Sequence, residues 1–271
     1  MPVQPYVNRL EPSEDAVIWR FLDMPKFQDL MASEELYFRR ADLFDDESEG
    51  LPTDDYALAV LGLNPYDVKD QQALNNHIGF IAQNRESYYI SCWHLFCRET
   101  LKMWEQYAKE GLAICSRYEL LKYALDAQLD TAHLGLVQYG IKHLTGFNTL
   151  QFITTKQLKY ADEGEVRAFL SIVDPLETGN RNFDENNRAH RSPLPMNPRH
   201  AWIHDCKRRR IDLRALLTGI VMSPWASEAA AEEVKHWVKI KGHPYALQPS
   251  GLAAHSGLIP TPDEFKKYCT I

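Results

Sequence analysis

The stretch YADEGEVRAFLSIV (residues 160–173) decides how this chain is read. Its apolar run, AFLSIV, predicts a strand, because an unbroken apolar segment of this length suits a strand covered on both faces. Just ahead of that run stand Glu163 and Glu165 on either side of Gly164, followed by Arg167. Residues two apart in a strand share a face, so the two carboxylates project together if the strand already begins at Glu163. Like charges that close disfavour joint ionisation and raise one pKa. Such a pair suits a reaction through an oxocarbenium-like centre: one carboxylate offsets positive charge or holds a sugar, and the other handles a proton. A solvated strand entrance, with Arg167 neutralising one glutamate, accounts for the same residues without any chemistry.

Outward from this stretch the chain predicts interleaved strands and helices. AVIWRFLDM and ELYFRRADLF read as strands around a helix in PKFQDLMASEE, where Pro25 suits the first turn. Residues 53–84 predict two helical pieces broken at GLNPYD. SYYISCWH is a strand, ETLKMWEQYAKEG a helix capped near Thr100 and ended by Gly111, LAICSR a strand and YELLKYALDAQ a helix. LGLVQYG predicts one further strand, and NTLQFITTKQL is ambiguous. Residues 174–200 carry four prolines and few apolar side chains, and a structureless run of that length is usually functional or mobile. Near the end, SEAAAEEVKHWVKIKG predicts a helix capped by Ser227, and YALQP a last strand. With no regular βαβ period and no glycine-rich phosphate loop, the expectation is a single α+β domain over 1–271, with a core of about 17–250 and an N-terminal tail of 1–14.

Composition narrows the function classes. The chain has 271 residues, 45% hydrophobic and 25% charged, and no apolar run long enough to span a bilayer, so no membrane partner is expected. Its five cysteines form no C-x-x-C pair and its N-terminus lacks a signal-peptide core, which fits a cytoplasmic protein. A net charge of −7 opposes wholesale nucleic-acid binding. The charge is uneven, however. Residues 11–55 hold fourteen acids against four bases, and residues 181–214 hold nine bases against four acids, including KRRR at 207–210. That run is either a solvated face or a surface for phosphate or nucleic acid through Arg208, Arg209 and Arg210.

Other residues could carry chemistry. Arg39 and Arg40 end a strand, where a guanidinium can grip a phosphate or carboxylate; alternation places Leu36 and Phe38 inward and Arg39 on the opposite face. Ordinary pairing with Asp42, Asp45 or Asp46 is the plainer reading. Ser91 and Trp93 in YYISCWH offer a hydroxyl and a flat ring, and Met103, Trp104 and Tyr107 an aromatic wall, though each also suits plain core. The histidines form no H-E-x-x-H motif and Cys92 and Cys97 show no activating partner, so no metal is expected. A metal nuclease could be assembled from Asp45, Asp46, Glu49, Glu163 and Glu165, but Val166-Arg167 stands where such sites carry lysine. No P-loop motif is present.

Several stretches together resemble a widespread bacterial family of domains of unknown function: ELYFRRADLFDDESEG, YYISCWH, MWEQYAKEGLAI and the E-x-E-x-R of 163–167, over most of residues 17–250. A second resemblance carries an activity. Arginine at a first strand end, serine in a later strand and glutamate-x-glutamate entering another occur in the order of the R-S-E signature of ADP-ribosyltransferases, with SCW in place of the usual serine-threonine-serine triplet. That resemblance implies a mixed split β-sheet core with flanking helices and NAD as substrate. Arg39, or Arg40, would hold the cofactor's phosphate or ribose, Ser91 would position the nicotinamide ribose, and Trp93 and Tyr107 would wall the ring. Glu165 would stabilise the oxocarbenium and Glu163 would activate the acceptor. The acceptor would be a macromolecule, RNA, DNA or protein, in the setting of a toxin or phage-defence effector. A non-catalytic binding or regulatory module and the metal nuclease are the alternative expectations.

Overall fold

Residues 88–95 send Tyr89, Ser91 and Trp93 to one side and Ile90, Cys92 and His94 to the other, and they form the strand that organises the sheet. The computed structural model describes residues 4–5, 11–46, 49–95, 99–126, 132–140, 149–171, 204–245 and 247–252. In chain order the strands are β1 (Gln4–Pro5), β2 (Val17–Leu22), β3 (Glu35–Arg40), β4 (Tyr88–Leu95), β5 (Leu112–Arg117) and β6 (Ala132–Leu136). They continue with β7 (Gln138–Tyr139), β8 (Thr155–Lys156), β9 (Glu165–Ser171), β10 (Cys206–Arg210), β11 (Gly219–Met222) and β12 (Leu247–Pro249). The helices are α1 (Met24–Ser33), α2 (Asp54–Leu61), α3 (Val68–Asn84), α4 (Leu101–Tyr107), α5 (Tyr118–Asp126), α6 (Thr149–Ile153), α7 (Leu213–Leu216) and α8 (Glu228–Ile240).

Among the described residues ten strands make one mixed, open sheet, eight of them in the order β1-β6-β9-β4-β2-β5-β11-β12 with β3 and β10 off this path, antiparallel except at its β1–β6 and β11–β12 edges. The edge of β4 is shared. β2 pairs with its end at His94 and Leu95, and β3 with its start at Tyr89 and Ile90. Among the described residues, Ser91, Cys92 and Trp93 therefore have no paired residue on that edge. β2 and β3, joined by α1, diverge from β4 like the prongs of a fork, and β10 pairs outside β3.

One face of the sheet carries the main core. Ile18, Leu36, Phe38, Tyr89, Trp93, Leu134 and Ala168 meet Phe27 and Met31 of α1, Leu121 of α5, Leu216 of α7 and Val234 of α8, all buried. Each such large side chain contributes roughly 1.5–3 kcal/mol by leaving water. On the other face two smaller apolar patches stand apart: Trp19 with Trp104 of α4, and Ile90 with Phe169 and Ile153 of α6. Helix ends follow their capping residues, with Asp23, Thr53, Asp67, Thr100 and Ser227 each accepting a bond from a first-turn amide.

The structure corrects several expectations. ELYFRRADLF stops being a strand at Arg40, because Asp42 in the following single turn takes the Arg40 guanidinium. LGLVQYG divides into β6 and β7, and the basic run 206–210, given no element from sequence, is a strand paired with β3. Glu163 is not on a strand: it ends a 3-10 turn (Leu158–Glu163), and β9 begins only at Glu165. Gly111 does not end α4, which stops at Tyr107. A Cβ at Gly111 would lie 2.1 Å from the Leu22 carbonyl oxygen and 3.0 Å from Asp23 Cα, so this glycine permits a backbone crossing. The polar segment 174–200 lies outside the described residues, as does most of the 1–14 tail.

Because backbone blocks that space, Gly111→Ala should destabilise the fold by about 3 kcal/mol or more, read as a lowered denaturant midpoint.

Candidate functional site

Gly164 adopts a left-handed conformation (φ 51°), which a side chain would resist, between the 3-10 turn and β9. That turn re-aims the chain so that Glu163 and Glu165 reach the same cavity without sharing a strand. The Glu165 amide donates to Tyr139 Oη at 2.8 Å, and Leu95 N–H to Gly164 O at 2.7 Å, so the Gly164–Glu165 peptide at the exit of the turn is held on both sides.

The carboxylates are 2% and 1% exposed, and a buried anion needs compensation. Lys156 supplies it at 2.8 Å from Glu163, 3.1 Å from Glu165 and 3.9 Å from Glu49. Arg167, 1% exposed, grips Glu165 with two nitrogens at 2.6 and 3.2 Å, and also bonds Glu49 and the Ile153 carbonyl. Three carboxylates thus share two cations. Burial raises the Glu165 pKa, against the opposing pull of Lys156. For Lys156 burial alone would lower the pKa, but Glu165 and Glu163 together outweigh it and hold the ammonium above its ordinary range.

Around this network the cavity holds about 310 Å³ and is closed by Tyr107, His94, Cys92, Phe21 and Tyr160 among others. Tyr107 Oη donates to Glu163 at 3.0 Å; burial, then the Glu163 charge, raises its pKa. His94 Nδ1 lies 3.2 Å from the Glu163 carbonyl oxygen, which only accepts, so Nδ1 carries the hydrogen and Nε2 is bare. Burial lowers the His94 pKa to about 4, so the ring is neutral at pH 7. The Cys92 thiol is pushed well up by burial and by Glu165.

Of the residues singled out from sequence, Arg39, Tyr107, Glu163 and Glu165 line this one cavity. Arg39 is half exposed at its mouth, 3.7 Å from a fully exposed Asp45. Ser91 and Trp93 do not line it. They alternate to the core side of β4, where Ser91 Oγ and Trp93 Nε1 are buried without a partner among the described residues. Arg40 is turned away and held by Asp42 at 2.6 and 3.1 Å. Arg208 pairs across from Tyr37, on the cavity face, and bonds Asp29 at 2.8 Å, whereas Arg209 pairs across from Leu36 and faces the other way. Arg210 ends β10 opposite Glu35.

Asp45, Asp46 and Glu49 line the cavity too, yet among the described residues no three His, Cys, Asp or Glu side chains are arranged to hold a metal ion. The position between the buried carboxylates is taken by the Lys156 ammonium. Among the described residues, no helix is long and apolar enough to cross a membrane. Lys156, His94 and Arg20 escaped the sequence reading. Lys156 carried no signal in TTKQL; Arg20 did carry one, since it interrupts the inward apolar series Ile18, Leu22 of a strand. Compared with known proteins, the chain matches no family model, no curated protein and no solved structure.

Lys156→Met should cost about 3–5 kcal/mol by leaving buried carboxylates short of a cation. The loss, followed by chemical denaturation, should shrink in acid as Glu165, whose pKa burial raises, gains a proton. His94 sets a second dependence. An unfolded imidazole takes its proton below about pH 6.5 but the folded one only near 4, so the unfolded state binds more protons in between. Stability should therefore fall by about 3 kcal/mol from pH 6.5 to 4 on this account, and His94→Asn should remove that part of the slope.

Proposed function

We propose that the cavity is the active site of an ADP-ribosyltransferase-like enzyme, which cleaves the nicotinamide–ribose bond of NAD and passes ADP-ribose to a macromolecule. The observation that supports this reading is the convergence of Arg39 with Glu163 and Glu165 on one cavity at the fork of the sheet. A space of about 310 Å³ suits a ribose and one ring. Aromatic walls from Phe21, Tyr37 and Tyr107 suit that ring, and Arg39 at the mouth suits a phosphate.

Acceptor capacity divides the two glutamates. Glu165 already takes Arg167 twice and Lys156 once, and interacts with the Cys92 thiol. Among the described residues Glu163 takes only Tyr107 and Lys156 through its side chain, which leaves acceptor capacity for a sugar hydroxyl. Glu163 is therefore the carboxylate that meets the ribose, and Glu165 positions Lys156, the reverse of the assignment the R-S-E resemblance implies. As the bond to nicotinamide breaks, the ring nitrogen leaves with the electron pair and positive charge spreads over ribose, where Glu163 offsets it. The acceptor attacks the anomeric carbon and gives its proton to Glu163. A protein or nucleic-acid acceptor would approach past Arg208, on the same face as Tyr37.

A non-catalytic binding module is the second reading, favoured by how completely Glu165 is satisfied within the chain. The test is incubation with NAD and mixed protein and nucleic-acid acceptors, with and without EDTA, scored for free nicotinamide. Release should survive the chelator, drop about 100-fold or more in Glu163→Gln, and persist in Ser91→Ala. No release from the wild type, or undiminished release in Glu163→Gln, sinks the transferase. Nucleic-acid cleavage abolished by EDTA would instead identify a metal nuclease.

A further inference from the structure

Among the cations lining the cavity, Arg20 differs from the rest. Lys26 pairs with Asp23 at 2.8 Å, Arg39 with Asp45, Arg167 with Glu165 and Lys156 with Glu163. Arg20 has no carboxylate partner among the described residues. Its Nη2 donates to the Tyr37 carbonyl at 3.0 Å, and its guanidinium lies 5.9 Å from the centre of the Trp93 ring. By alternation on β2 the side chain is rooted on the core side with Ile18 and Leu22, yet it lines the cavity. The opening that admits it is the gap between β2 and β3, where among the described residues Ser91–Trp93 have no paired residue on that edge of β4. Tyr37 holds one edge of the plane and Trp93 lies against it, which fixes the fork of donors, and among the described residues its other donors take no hydrogen-bond partner.

A half-buried guanidinium with no carboxylate partner among the described residues is costly, and burial pulls its pKa down to about 10. Natural folds keep such a cost where a ligand removes it. We infer that Arg20 is an anion-recognition residue, and that the fork between β2 and β3 binds a phosphate or diphosphate group of a small-molecule ligand. Charge along the cavity supports the orientation: Arg20, Arg39 and Lys26 gather on β2, α1 and β3, and the buried carboxylates on and beside β9. A phosphorylated sugar placed with its phosphates at the fork puts its hydroxyls toward Glu163. This inference rests on the cavity being the ligand site proposed above, not on cleavage of any bond.

Calorimetric titration with inorganic pyrophosphate and, separately, ADP tests it without NAD. Both should bind the wild type, and Arg20→Gln should weaken both at least tenfold while Ser91→Ala does not. ADP binding without pyrophosphate binding would overturn the assignment, placing recognition on the nucleoside. So would binding equal in wild type and Arg20→Gln, or none in the wild type. Ligand-free melting gives an independent reading. A structural Arg20 predicts a lower Tm in Arg20→Met, whereas a ligand-receiving one predicts an equal or higher Tm, together with a wild-type Tm that pyrophosphate raises. Should Arg20→Gln fail to fold, absence of that pyrophosphate-induced rise in the wild type alone overturns the proposal. Pyrophosphate binding without nicotinamide release would reject the transferase and keep the anion site; nicotinamide release with unaltered pyrophosphate binding in Arg20→Gln would do the reverse.

Discussion

The structure depends on a charge problem solved inside the sheet. Glu163, Glu165 and Arg167 are nearly inaccessible to water, and Glu49 and Lys156 nearly so. Removing ions from water costs several kcal/mol each even after relaxation, so the set persists only because every member meets an opposite charge. Arg167 answers Glu165 from two positions along the same strand, while Lys156 and Glu49 arrive from elsewhere in the chain. The network therefore ties β8, β9 and the segment after β3 into one unit. A core of apolar side chains would have done this with less electrostatic cost, so the five ions are not explained by stability alone.

The second constraint is the fork. A sheet whose central strand serves two neighbours on one edge must part where they diverge. Here it parts beside Ser91–Trp93, with the ionic network on the adjoining β9. The main core on the opposite face is continuous and carries four helices, so the gap does not undermine the fold. On the cavity face the two apolar patches stop short of each other, and Phe21, Ile90 and Phe44 at their margins become walls. Site and fold thus share residues: β4 packs Tyr89 and Trp93 into the core with one set of side chains and offers Cys92 and His94 to the cavity with the other.

Most elements were legible because their signals are local. Runs rich in β-branched and aromatic residues marked β2 and β4, and capping residues marked α4 and α8. Arg39 opposite Phe38 followed from the period of two. The failures were cases where long-range contacts prevailed. Gly111 has the look of a helix terminator, but a crossing strand end at Leu22 is what requires it. The basic run 206–210 carried no strand signal, but pairing with β3 makes it one, with Arg208 on Asp29 and the Tyr37 ring and Lys207 over the Tyr89 ring.

By itself the sequence determined most of the strands and helices, and that two glutamates and an arginine crowd the start of a central strand. It could do so because periodicity and spacing act over a few residues. Only the tertiary structure decided that Glu163 reaches the cavity from a turn, that Ser91 and Trp93 face the core, and that Lys156 and Arg20 stand where charge is needed. Those outcomes depend on strand register and on the parting of β2 from β3, which juxtapose residues far apart in the chain. No local pattern encodes that distance.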